Sequence, residues 1–277
     1  MNSMVAEPTM KHRHPAMTAA MPMTSFADML KELAPDLRQI VRIPRLWFPD
    51  LEKRPDQASL DPSQQERFLC AYETIAANGT LGQFVKIHGE THYQHGTERF
   101  LPWHRVFLLL LEQALQSVHP DVKLPYWDWS QPSEQSFPAW LAGVTPTVVM
   151  PSPMANISVV RSPGSDADLT SIVSALPGVM ASNDFATFTS ALEGVHGAVH
   201  VWVGGTMALI PTAPSDPIFW MHHGNIDRLW AQWQASHVGL NPDLPGPPGT
   251  GTSPVMDPWA YTEADARSIT ALGYEYA

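Results

Sequence analysis

Apolar residues recur three and four positions apart in several windows of this chain, the spacing that gathers them on one stripe of an α-helix. Ser25 to Arg42, SFADMLKELAPDLRQIVR, has this spacing behind a Ser start, and a Pro-punctuated loop follows through Pro55. Residues 62 to 77 read as a second helix. Gln83 to His88 is a short apolar-rich piece that suits a further helical turn with His88 at its end. Pro102 fits the first turn of a long helix to about Val118, because an amide proton has no partner there anyway. Phe107, Leu108, Leu111 and Leu115 form its stripe, and His104 lies one turn in. Residues 131 to 183 are rich in Pro, Ser, Thr and Gly with weak periodicity, so they read as a long irregular excursion. Helical character resumes over 184 to 203, a Gly/Pro loop covers 204 to 217, and Ile226, Leu229, Trp230 and Trp233 mark a last strong helix over 221 to 236. The tail from Gly239 to Pro258 is Pro/Gly-rich, with a short closing segment after it.

These elements predict a mainly α fold, a four-helix bundle with long irregular loops and little β. At 277 residues the chain suits one large domain, taken as 25–277, behind a disordered N-terminal extension of residues 1–24.

Composition acts by exclusion. The net charge is −11, with 16 Lys+Arg against 27 Asp+Glu, so a basic footprint for nucleic acid is missing. The run FLLLLEQAL stops at Glu112, short of a membrane span. Cys70 is the sole cysteine, which rules out an intrachain disulfide and a cysteine-based metal site, and it reads as a buried apolar residue. Pro15 and Pro22 interrupt a weakly hydrophobic start that makes no convincing signal peptide, which points to the cytoplasm.

Eight of the twelve histidines fall in two clusters: His88, His92, His95 and His104, then His196, His200, His222 and His223. Residues four apart on a helix lie about 40° apart around its axis, so His196 and His200 form a two-point metal grip. The third ligand comes from the paired histidines that open HHGNIDRLWAQW. Imidazoles without thiolate or clustered carboxylate suit copper or zinc. His88-Gly-Glu-Thr-His92 carries its Glu at the wrong position for a zinc protease.

HGTERFLPWHR resembles the first copper signature of the tyrosinase, catechol oxidase and haemocyanin family. HGAVHVWVGG followed by DPIFWMHHGNIDRLW resembles its second, and KLPYWDW is similar to a further family motif. The resemblance covers roughly residues 62 to 236 and is closest to short bacterial tyrosinases. It implies a dinuclear centre of two copper ions, with His88, His95 and His104 on one and His196, His200 and His223 on the other. His92 competes with His88 for the first position. It further implies O2 and small phenolic substrates, with o-diphenols oxidised to o-quinones and monophenols ortho-hydroxylated as a second activity. An o-aminophenol oxidase and a haemocyanin-like O2 carrier are the alternatives within this resemblance.

A phenol has a pKa near 10, so its binding to copper at neutral pH calls for a proton acceptor. By resemblance Glu193 positions a water for that task. Gly197 stands where monophenol-active bacterial relatives often have Asn, which tilts the expectation toward diphenols. Gly197, Val201 and Ile210 are the expected pocket residues. Phe219, His222, Asn225 and Asp227 are expected to support the ligands, Asp227 through an imidazole, Arg228 or another cation. Tyr93 and Gln94 precede His95 where some relatives place a cysteine that bonds a ligand histidine. No shielding domain follows the bundle in this sequence, which leaves room for a separate protein that covers the site or delivers copper.

Overall fold

The computed structural model describes residues 51–277; the expected extension 1–24 and the helix expected over Ser25 to Arg42 lie outside the described residues. The chain is mainly helical, and short strands contribute little. Strand β1 (Glu52–Arg54) leads to α1 (Pro62–Ala77), whose start is fixed by a reciprocal pair of hydrogen bonds between Asp61 and Gln64 and by Pro62 in the first turn. Its buried face is Phe68, Ala71, Tyr72, Ile75 and Ala76, at helical spacing. Cys70 falls between Phe68 and Tyr72 on the opposite face and is exposed, which corrects the expectation of a buried thiol.

Helix α2 (Thr80–Glu90) begins after Gly79, whose φ of 86° favours glycine. Gly82 lets it lie against the next strand pair, since an added Cβ there would sit 2.1 Å from the Val149 carbonyl oxygen. After a turn at His92–Gln94 comes α3 (Phe100–Val118), almost wholly buried through Leu115. A helix buried on all sides is the centre of a bundle rather than its surface.

The stretch expected to be irregular holds more structure than its composition suggested. Strands β2 (Thr147–Val148) and β3 (Ile157–Ser158) pair antiparallel, and helices α4 (Asp166–Val173) and α5 (Leu176–Met180) follow. Helix α4 buries only Leu169 and Val173, too few to produce a visible period. Its N-terminus is nonetheless capped by Ser165 and Asp168.

Helix α6 (Phe185–Val203) and helix α7 (Pro217–Ser236) complete the bundle. Asp216 caps α7 through the Ile218 N–H at 3.0 Å and binds Arg161 with both carboxylate oxygens. The helix therefore starts four residues before the expected boundary. Helix α7 packs against α3, α6 against α7, and α1 against α3. A short α8 (Glu263–Ala266) precedes β4 (Tyr274–Tyr276), which pairs parallel with β1, Glu52 facing Tyr274 and Arg54 facing Tyr276. Among the described residues no helix is long and apolar enough to cross a membrane.

Candidate metal centre

Helices α2, α3, α6 and α7 bring the histidine clusters together inside the bundle. His88 ends the buried face of α2, and His104 projects from α3 one turn in from its start. His95 follows the turn at His92–Gln94, in the loop between them. Ligand atoms of His88, His95 and His104 lie within 4.8 Å of one another, as do those of His196, His200 and His222. His223 stands between the two groups: its ring stacks on His104 at 4.4 Å, and its Nε2 is 3.0 Å from His196 Nε2 and 3.2 Å from His200 Nε2.

Backbone carbonyls settle which nitrogen of each ring carries the proton. His88 Nδ1 donates to Ile210 O at 2.9 Å, His104 Nδ1 to Phe100 O at 2.8 Å, His200 Nδ1 to Met207 O at 2.8 Å and His95 Nδ1 to His92 O at 3.2 Å. A neutral imidazole has one proton, so each of these rings presents a bare lone pair on Nε2. Burial, reinforced by neighbouring imidazoles, holds His88, His104, His196 and His223 well below the usual imidazole pKa, and His95 and His200 fall to about 4. The rings are neutral at pH 7.

The bare Nε2 atoms of His88 and His104 face each other at 3.4 Å. Two lone pairs at that separation repel unless a cation lies between them, and burial disfavours a proton. Two nitrogens about 2.0 Å from one metal, at a tetrahedral angle, stand about 3.3 Å apart, so the donor set fits a metal ion. With neither thiolate nor carboxylate in either cluster, the chemistry suits copper.

His222 is different. Trp129 Nε1–H, which can only donate, is 2.9 Å from His222 Nδ1, so that nitrogen accepts and the proton of the neutral ring sits on Nε2. The competitor His92 has an exposed ring and lends its carbonyl to His95.

Phe219 is fully buried and packs on His223 at 4.1 Å and His88 at 5.2 Å. Ile210 and Val201 are 43% and 69% exposed, Ile210 reaching the site through the carbonyl that holds His88. Gly197 has open space around the position of a Cβ. Asn225 is buried, and its side-chain amide has no hydrogen-bond partner among the described residues.

Asp227 binds neither an imidazole nor Arg228. It pairs with Arg105 at 2.5 Å and accepts the hydroxyls of Tyr274 and Tyr276 at 2.6 and 2.5 Å, while Arg228 pairs with Asp128. Glu193 is half-buried, and both its carboxylate oxygens accept from the Gly96 N–H, at 2.8 and 3.0 Å. Burial raises its pKa to about 7.

Two adjoining clusters of imidazoles inside a helical bundle define a dinuclear copper protein. The family described as "Common central domain of tyrosinase" matches residues 78–155 and 150–236. The tyrosinase of Streptomyces antibioticus is 37% identical over 248 residues, covering 74% of this chain and 89% of that protein. Grixazone synthase of Streptomyces griseus is 30% identical over 267 residues, covering 69% and 86%. A functional unit of octopus haemocyanin aligns with a TM-score of 0.67 at 27% identity, over 81% of this chain and 68% of that one. The tyrosinase of Burkholderia thailandensis shares the fold, with a TM-score of 0.69 at 19% identity, over 82% and 74%. The chain belongs to the tyrosinase family.

Proposed function

We propose that His88, His95 and His104 hold one copper, that His196, His200 and His223 hold the other, and that the protein uses O2 to oxidise o-diphenols to o-quinones. The observation that carries this reading is the pair of lone pairs, His88 Nε2 and His104 Nε2, set face to face at 3.4 Å with their ring protons tied to carbonyls behind them. His223 is preferred over His222 because its Nε2 converges with those of His196 and His200, whereas Trp129 forces a proton onto Nε2 of His222.

A pair of coppers, each with three imidazole ligands, supplies two one-electron carriers and open positions for O2 and a phenolate. The chain's own groups do the rest. Phe219 fixes the ring planes of His88 and His223, and the bundle excludes water behind them. Val201 follows His200 on α6 and Ile210 holds His88 through its carbonyl, and we assign their exposed apolar side chains to the surface that receives a flat aromatic ring. Each diphenol gives up two electrons and two protons, and two diphenols reduce one O2 to two waters.

Leu209, 59% exposed, adjoins Ile210 in the chain, and these exposed apolar residues with Val201 support a separate copper-delivery or covering protein as part of this proposal. The lone exposed thiol of Cys70 supports the cytoplasmic location, where such thiols stay reduced.

The test is copper content together with oxygen consumption on a catechol and its matching monophenol. Two coppers per chain with uptake on the catechol support the proposal. Reversible O2 binding without turnover would replace it with the carrier function that the octopus haemocyanin likeness brings to mind, and zinc in place of copper would remove it.

A further inference from the structure

We propose that Glu193 is a positioning residue that latches the loop carrying His95 and thereby acts on copper retention. This rests on His95 being a copper ligand. Five of the six assigned histidines extend from helices, which fix their directions over several hydrogen-bonded turns. His95 does not. It follows the short turn at His92–Gln94, is only half-buried, and its ring is oriented by the longest of the four carbonyl contacts, 3.2 Å to His92 O.

Gly96 comes next, with φ at 69°, a left-handed conformation that favours glycine. That N–H is taken by both oxygens of Glu193, at 2.8 and 3.0 Å, across 97 residues of sequence. Glu193 lies on α6 three residues before His196, and three residues on a helix place side chains on neighbouring parts of one face. One carboxylate thus fastens the loop-borne ligand of the first cluster to the helix that carries two ligands of the second. Both side-chain oxygens lie within reach of the Gly96 N–H, and a carboxyl group keeps an accepting oxygen whether ionised or neutral. Any movement of Gly96 is transmitted directly to His95.

The experiment measures copper retention of the full chain against a graded series of chelator concentrations, for the natural protein and for the Glu193→Ala, Glu193→Asp and Glu193→Gln variants. Glu193→Ala should give up one of its two coppers at a chelator concentration roughly 10–100-fold lower, the range for removing a group that orients a metal ligand. Glu193→Asp keeps the charge but falls one methylene short of Gly96, and should lose the same copper. If the alanine variant fails to fold, the aspartate variant decides. Glu193→Gln still presents an accepting oxygen and should restore retention. Unchanged retention in both Glu193→Ala and Glu193→Asp would overturn the latch. So would a Glu193→Gln variant that gives up the same copper as Glu193→Ala, because an accepting oxygen at this position would then not be what holds the loop. Failure of the natural protein to hold two coppers would instead remove the ligand assignment itself.

Discussion

Trp129 donates its indole N–H to Nδ1 of His222 at 2.9 Å, and this one hydrogen bond separates two histidines that stand side by side in the chain. His223 has its Nε2 directed at the Nε2 atoms of His196 and His200, whereas His222 has a proton at the equivalent atom. Replacing His223 with Ala should halve the copper bound per chain. His222→Gln should leave both coppers in place, while lowering the melting temperature because a buried partner of Trp129 is altered. Metal analysis after gel filtration checks both variants, and copper loss from His222→Gln alone would exchange the two assignments.

Gly197 follows His196 on α6, and beyond its chain neighbours and the helix's own backbone nothing lies within 4 Å of where its Cβ would stand. An asparagine there meets no obstruction and brings an amide beside the centre, able to hold a water that accepts the phenolic proton. Gly197→Asn should raise the ratio of monophenol to diphenol turnover several-fold, as read by oxygen uptake on matched substrates. An unchanged ratio would show that proton acceptance there does not depend on this position.

Asp227 joins Arg105 at 2.5 Å, and the C-terminal Tyr274 and Tyr276 hydroxyls close over it. Burial acts to raise its pKa, but the charges of Arg105 and Arg54 together with the hydrogen bonds from Tyr274 and Tyr276 outweigh burial and hold it below 3.8. Its ionised form therefore contributes stability that is present above the unfolded value and lost as pH falls through the lower, folded one. Asp227→Asn strands a buried guanidinium and should cost about 3–5 kcal/mol in urea unfolding at neutral pH. The variant should also lack this contribution to acid sensitivity, which repeating the unfolding series at low pH measures.

The metal-free protein should also lose stability on acidification, but in a window at higher pH than the Asp227 contribution. His95 and His200 titrate at about 4 in the fold, against 6.5 when unfolded, because burial opposes their charging. Between those values the unfolded chain binds more protons, so stability is full above 6.5 and falls as pH drops toward 4. Chelator-treated protein melted at steps from about pH 7.5 to about pH 5 should lose melting temperature steadily. A flat profile would mean that the rings take up protons as readily in the fold as in the unfolded chain.

What the sequence reveals here follows from range. The helices that carry the histidines announce themselves, because a stripe such as Phe107, Leu108, Leu111 and Leu115 is a local pattern, and so is the four-residue step from His196 to His200. Helix α4 is hidden because it buries only Leu169 and Val173, and its capping residues look like loop composition. Cys70 is misread because one residue's phase on α1 depends on where the core lies. The contacts that give the centre its geometry are longer in range still. Glu193 meets Gly96 across 97 residues, Trp129 meets His222 across 93, and Asp227 meets Arg105 across 122. No periodicity encodes such pairings; the topology creates them.

The four ring protons whose partners are defined all rest on main-chain carbonyls, those of Ile210, Phe100, Met207 and His92. A carbonyl is supplied by every amino acid, so substitution of these four side chains leaves the acceptors where they are. The aim of the imidazoles is written in the path of the backbone, and surrounding sequence is free to drift while that path is kept. An insertion or deletion in the loop before α7, which carries both Met207 and Ile210, would shift the acceptors of His200 and His88 together.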